Sequence, residues 1–250
     1  MIVLRDVTRE VIADQFKHDI VSSVSHELRT PLTSIKGYVD LLLLGAAGEL
    51  SEGQMSFLSV VKNNANRLMD LINDILEVGR IDSDKIELMF SQVNLTKIIE
   101  DVLQALRHEI EAKALDVTVN IHSELPSVEA DERRLTKVLF ELVKNAIRFT
   151  PTEGKIEVYG YLNPSNMLAV DVVDTGIGID PADQEHVFQR FWRQSRITSN
   201  GQGVGLGLTI AQALVEMHGG AMWLQSMVGV GSKFSFAIPL AHGNVGHEST

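Results

Sequence analysis

Hydrophobic and polar positions follow three successive patterns along the chain. Ile2, Val3 and Leu4, followed by Arg5-Asp6-Val7-Thr8, read as the end of a strand running into a helix cap, and a strand does not stand alone. Either this is a frayed start or it closes a domain lying upstream. From about Thr8 the period becomes helical. Val21, Val24, Leu28, Ile35, Val39 and Leu42 lie on a heptad-like stripe, with Pro31 at the next expected position. Leu58, Val61, Ala65, Leu68, Ile72 and Ile75 alternate spacings of three and four, which predicts a second amphipathic helix. Residues 45–53 between them are rich in turn formers, and Ser51 followed by Gln54 fits a capping box.

Two long helices joined by a short turn make an antiparallel hairpin. Alone, it would leave its stripe wet. Pairing two hairpins into a four-helix bundle buries that stripe, so the pattern predicts a symmetric homodimer. Packing against the chain's own second domain is the alternative. Beyond about residue 85 the period is mixed: helix at 94–113, strand at 116–122, helix at 132–149, strands at 155–162 and 167–173. A glycine-rich stretch at 201–207 opens a helix through 216, and strands at 222–225 and 233–238 finish the pattern. Irregular interleaving of this kind predicts an α/β sandwich with a mixed sheet. After Leu240 the tail turns polar, and disorder is expected there.

Composition narrows the partners. The 33 acidic residues outnumber the 22 basic ones, giving a formal charge of −11. That argues against nucleic acid or an anionic membrane as partner, because phosphate selects basic faces. Cysteine is absent, which excludes disulfides and thiolate-held zinc. The longest apolar stretch, 39–47, is interrupted by Asp40 and Gly45 and falls far short of the ~20 residues that span a bilayer. No signal peptide is visible, so a soluble, cytoplasmic segment is expected.

Four constellations carry candidate chemistry. His26 sits within Ser25-His26-Glu27-Leu28-Arg29-Thr30-Pro31-Leu32, off the apolar stripe, with Glu27 adjacent and Thr30 one turn on. An exposed imidazole beside a carboxylate can act as a nucleophile, although a solvated surface histidine is the default for a lone His. Pro31 frees the carbonyl of Glu27 and offers a kink. Glu141, Asn145 and Arg148 share a helix face at spacings of four and three, which suits a magnesium-bound polyphosphate; a solvated face is equally compatible. Asp174-Thr175-Gly176-Ile177-Gly178 follows an apolar strand, where the glycines allow close backbone approach and Asp174 can accept from an amino group. By itself that motif reads as a turn. Gly203, Gly205 and Gly207 open a helix whose first N–H groups make an anion site, though glycine-rich helix starts are common.

Taken in order, these segments resemble one family, the sensor histidine kinases, over about residues 10–240. The stretch around His26 looks like the H box, Asn145-Ala146 with Arg148 the N box, and Asp174 to Gly178 the G1 box. Val187-Phe188-Gln189-Arg190-Phe191-Trp192-Arg193 is similar to the F box, Gly203-x-Gly205-x-Gly207 to the G2 box, and Gly229-Val230-Gly231-Ser232 to the glycine pair before the last strand. The resemblance implies an all-α hairpin forming a dimeric four-helix bundle over 15–84, then a catalytic domain of the Bergerat ATP-binding fold over 85–241. Residues 1–14 resemble the end of a PAS sensor and its linker, and 242–250 form a tail. By analogy ATP and Mg2+ bind at Asn145, Arg148, Asp174, Gly176, Gly178, Phe191, Gly203, Gly205 and Gly207, with Asn145 on the metal. Glu27 would ready His26, whose phosphoryl group would pass to a response regulator. Glu27 to Thr30 also resembles the Glu-x-x-Thr motif of regulator dephosphorylation.

One residue departs from the family pattern. Glu141 stands where most histidine kinases carry Asn, and resembles instead the water-activating Glu of related chaperone and gyrase ATPases. It is expected either to add a magnesium-side ligand or to permit slow ATP hydrolysis. The rivals are therefore a Bergerat-fold ATPase and a nucleotide-binding scaffold without histidine phosphorylation.

Overall fold

A computed structural model describes residues 8–83, 86–122, 125–192 and 204–241, with the side chains of 8–24 and of His26 outside that description. The expected strand at Ile2 to Leu4, the tail from 242 and Gly203 also fall outside it. Two compact units result: one takes the helical residues up to Ile86 together with 204–206, and the other, α/β, takes 87–192 and 207–241.

The helical unit is a hairpin. Helix α1 (Thr8–Leu43) runs through Pro31 without interruption, and α2 (Glu52–Asp82) begins at an N-cap on Ser51. The capping box is complete: Ser51 Oγ accepts from the Gln54 N–H, and Gln54 Oε1 accepts from the Ser51 N–H. Arg29 donates to Asn73 Oδ1 at 2.9 Å, and Lys62 pairs with Asp40 at 2.7 Å, so polar links join the two helices. Burial is sparse. Val39, Ala65 and Ile72 are buried, while Leu28, Ile35, Val61, Leu68 and Ile75 of the same stripes are exposed. No described helix is long and apolar enough to cross a membrane.

The second unit runs β1 (Ser91–Val93), α3 (Leu95–Ala105), α4 (Arg107–Ala112), β2 (Asp116–Ile121), β3 (Val128–Ala130) and α5 (Glu132–Phe149). It continues through β4 (Lys155–Leu162), β5 (Met167–Asp174), α6 (Pro181–Gln184), α7 (Gly207–Met217), β6 (Ala221–Met227) and β7 (Gly231–Pro239). The main sheet has the order β2-β4-β5-β7-β6; only the β2–β4 pair is parallel, so the sheet is mixed as expected. Val158 faces Val172 and Val170 faces Phe236 across neighbouring strands, and all four are at most 1% exposed. Helix α5 packs on β5 and lies against α3 and α7, adding Leu135, Leu139, Leu142, Ile210 and Leu214 to this core. Closing such a core removes most of its apolar surface from water, the dominant stabilising term.

The single helix expected at 94–113 is two. The apolar stripe Leu95, Ile98, Ile99, Val102 ends at buried Leu106, and α4 buries no residue, so nothing holds one continuous rod. His218 follows α7 as a cap: its Nδ1 donates to the Leu214 carbonyl at 2.7 Å, and its Nε2 accepts from the Asp131 N–H at 3.1 Å. Because one partner only accepts and the other only donates, the ring is the neutral Nδ1–H tautomer.

Candidate functional site

The site residues of the α/β unit converge from the end of β5, one face of α5 and the start of α7. Asp174 closes β5 and is 5% exposed. Its Oδ1 accepts from the N–H groups of Gly176 at 2.8 Å and Ser232 at 3.3 Å. Its Oδ2 has no partner among the described residues. Burial pushes the carboxyl up to about 6, and the two N–H bonds only partly offset that effect. A buried carboxylate with one oxygen anchored and the other unpaired is built to receive a donor.

Glycine is required around it. A Cβ on Gly178, which has φ +68°, would strike the Met227 carbonyl, and one on Gly176 would crowd Asp174 and the Phe149 carbonyl. The Ile177 N–H donates to that same carbonyl at 3.3 Å, tying the loop to the last turn of α5. The turn reading of this segment is therefore incomplete, because the turn is pinned on three sides.

On α5, Asn145 is half-buried and its amide makes no hydrogen bond among the described residues. Arg148 is also half-buried, with its guanidinium 5.0 Å from the Phe149 ring. Glu141 is only 8% exposed, so the solvated-face alternative fails for it. Its Oε1 pairs with Lys137 Nζ at 2.6 Å, and its Oε2 lies where a Cβ on Gly207 would have to sit. Lys137 escaped the sequence reading although its spacing of four from Glu141 was a readable signal. Gly205 has φ +78°, while Phe191 is 62% exposed at φ +62°, unusual for an aromatic residue.

Magnesium takes hard oxygens, keeps several waters, and is held by one or two protein groups with substrate phosphates supplying the rest. The unpaired Asn145 amide and the Glu141 carboxylate fit that donor set. No cluster of three His, Asp or Glu side chains that could hold a metal exists among the described residues. On the hairpin, Glu27 and Thr30 are exposed on α1; the expected outward orientation of His26 lies outside the described residues.

Comparison with known proteins agrees with these features. Residues 16–84 match the His Kinase A (phospho-acceptor) domain, and residues 130–242 match the histidine kinase-, DNA gyrase B-, and HSP90-like ATPase family. The solved catalytic domain of histidine kinase ThkA is 31% identical over 61% of this chain and 97% of that one, with a TM-score of 0.51. The chain belongs to the histidine kinases. Drug sensory protein A of Synechocystis sp. is 36% identical over 94% of this chain and 37% of its own length. Sensor histidine kinase WalK of Bacillus subtilis is 33% identical over 95% and 39%. The chain thus spans little more than a third of these relatives. Full-length ShkA, solved in complex with AMPPNP, aligns at TM-score 0.74 and 28% identity over 90% of this chain and 46% of ShkA. ThkA in complex with the response regulator TrrA aligns at TM-score 0.62 and 27% identity, over 90% and 62%.

Proposed function

We propose that this chain transfers the terminal phosphoryl group of ATP to its own His26 and then to an aspartate of a response regulator. The observation that carries the reading is Asp174, a buried residue whose second carboxylate oxygen is left unpaired among the described residues and can accept from the exocyclic amino group of adenine. Gly176 and Gly178 let the backbone approach the base. Asn145 and Glu141 would hold magnesium, which when bound neutralises phosphate charge. Arg148 would contact phosphate, and Gly203, Gly205 and Gly207 would bring backbone N–H groups of the α7 start to the same anion. Phe191 would line the nucleotide site beside them.

A ring nitrogen of His26 attacks the terminal phosphorus, the bond to the ADP oxygen breaks, and Glu27 takes the ring proton. The transition state is loose, so positioning and charge stabilisation supply most of the rate. The binding of AMPPNP by ShkA and of a response regulator by ThkA supports nucleotide and partner alike. Thr30 would orient water for dephosphorylation of the regulator. The exposed stripe of Leu28, Ile35, Val61, Leu68 and Ile75 would be covered by a second hairpin in a homodimer. A segment that draws on ATP in this way would lie in the cytoplasm.

The rival is ATP hydrolysis with Glu141 activating water. The Lys137 ion pair occupies only Glu141 Oε1, which leaves Oε2 for magnesium or for water. Incubation with radiolabelled ATP and magnesium, alongside His26→Ala, decides between them. Acid-labile, alkali-stable label on the wild type and none on the variant is the expected outcome. Phosphate release with no label on either protein would overturn the kinase reading.

A further inference from the structure

Helix α5 ends without glycine. Thr150 follows it in extended conformation, at φ −78° and ψ 131°, the region favoured for a residue before proline. A helix end of this kind leaves its last carbonyls without intrahelical partners. Here each one is accounted for. The Ala146 carbonyl accepts from the Thr150 N–H at 3.0 Å and from Thr150 Oγ1 at 2.6 Å. The Phe149 carbonyl accepts from Ile177. The remaining two, Ile147 and Arg148, accept from Lys113 Nζ at 2.7 Å and 2.9 Å, and the Thr150 carbonyl accepts from the same nitrogen at 2.9 Å.

An ammonium has three donors, and this one is saturated by three carbonyls. Lys113 is itself fixed, since its own carbonyl accepts from the Glu153 N–H at 2.9 Å. Its charge also opposes the negative end of the α5 dipole. Burial holds the amine below the ordinary lysine range, so the carbonyls do the work of water around it. The turn of α5 that it holds carries Arg148 and, through Phe149, the loop that follows Asp174.

We propose that Lys113 is a positioning residue of the nucleotide site, holding Arg148 and the Phe149–Ile177 link in the geometry that reads ATP. This rests on the reading that ATP binds at Asp174, so the test must separate the two. Magnesium-ATP affinity is measured on the full chain for wild type, Lys113→Met, Lys113→Arg, Arg148→Ala and the Lys113→Met/Arg148→Ala double variant, with folding monitored by circular dichroism. Lys113→Met is expected to weaken ATP about tenfold while remaining folded, because it leaves carbonyls unpaired in the turn that carries Arg148. Lys113→Arg keeps the charge but presents a planar fork, so it should recover only part of the affinity. In the double variant, the two losses should be less than additive, since Lys113 acts in part through Arg148.

A folded Lys113→Met that binds ATP like the wild type overturns the role of Lys113, as does full additivity in the double variant. Should Lys113→Met not fold, Lys113→Arg carries the test alone, and wild-type affinity there is the overturning result. A wild type that binds no magnesium-ATP overturns the nucleotide reading instead.

Discussion

The two units solve the same problem in opposite ways. In the α/β unit, Val170, Leu142, Leu214 and Phe236 are wholly buried, and its hydrophobic pattern is satisfied within one chain. In the hairpin, Leu68 stays 48% exposed and Ile35 44% exposed on stripes as regular as any in the chain. Periodicity therefore reports that a surface will be covered without reporting by what. The α/β unit closes its core within one chain, whereas the described residues of the hairpin leave part of their stripe open.

The strongest way to break this contrast is to charge the hairpin stripe. Leu68→Glu with Ile75→Glu should reduce the mass in sedimentation from dimer to monomer, while leaving nucleotide affinity of the α/β unit unchanged. A mass that does not fall would mean that the stripe is covered by something other than a second copy. Leu142→Ala in the closed core should cost about 2–5 kcal/mol, read by chemical denaturation. Leu68→Ala should cost the isolated hairpin far less and act instead on dimer affinity.

Asp174 sharpens the comparison inside the α/β unit, where the proposed contact to adenine would rest on a carboxylate that costs stability when ionised. Asp174→Asn keeps an acceptor for Gly176 and Ser232 but presents a donor to adenine, so ATP affinity should fall roughly a hundredfold. The variant should also gain about 2–3 kcal/mol near neutral pH without nucleotide, since a carboxyl raised from 3.8 to about 6 resists ionisation when buried. The sign follows from the raised value. The favourable contribution of the neutral form is complete below pH 3.8 and is lost as pH rises through about 6. Apo wild type should therefore lose stability over that window relative to Asp174→Asn. ATP affinity should run the other way, weakening by up to about tenfold per pH unit below 6, because protonating the free oxygen sets an O–H donor against the amino group and weakens it as an acceptor. Thermal melts and titration calorimetry across that range read both. Smallest of the set, Ser51→Ala should cost the hairpin about 1 kcal/mol through its cap.

Long elements were legible because their period repeats. Helices α1, α2 and α5 and strands β4 and β5 were readable over nearly their full lengths, and the Ser51–Gln54 cap was readable from two residues. Strands β1 and β3 were not, as three residues cannot display an alternation. Helix α6 has four residues, though Asp180 before Pro181 was an available start signal. At the site, the glycines around Asp174 could be read because close approach excludes side chains. Lys137 on Glu141 was overlooked although the two lie one turn apart on α5. What could not be read was pairing across sequence, the Ser232 N–H on Asp174. Sequence spacing ranks neighbours along an element, whereas that contact depends on which element the fold lays alongside.

The ring of His218 joins the beginning of α5 to the end of α7, and its proton has one place to be. Its nitrogens should therefore give separate, tautomer-specific NMR resonances, with the Nδ1 proton exchanging slowly while both helix ends stay in contact. Nature has put a spectroscopic label at the junction of two helices. Following that one resonance during nucleotide titration would show whether filling the site alters this junction, with no probe attached to the protein.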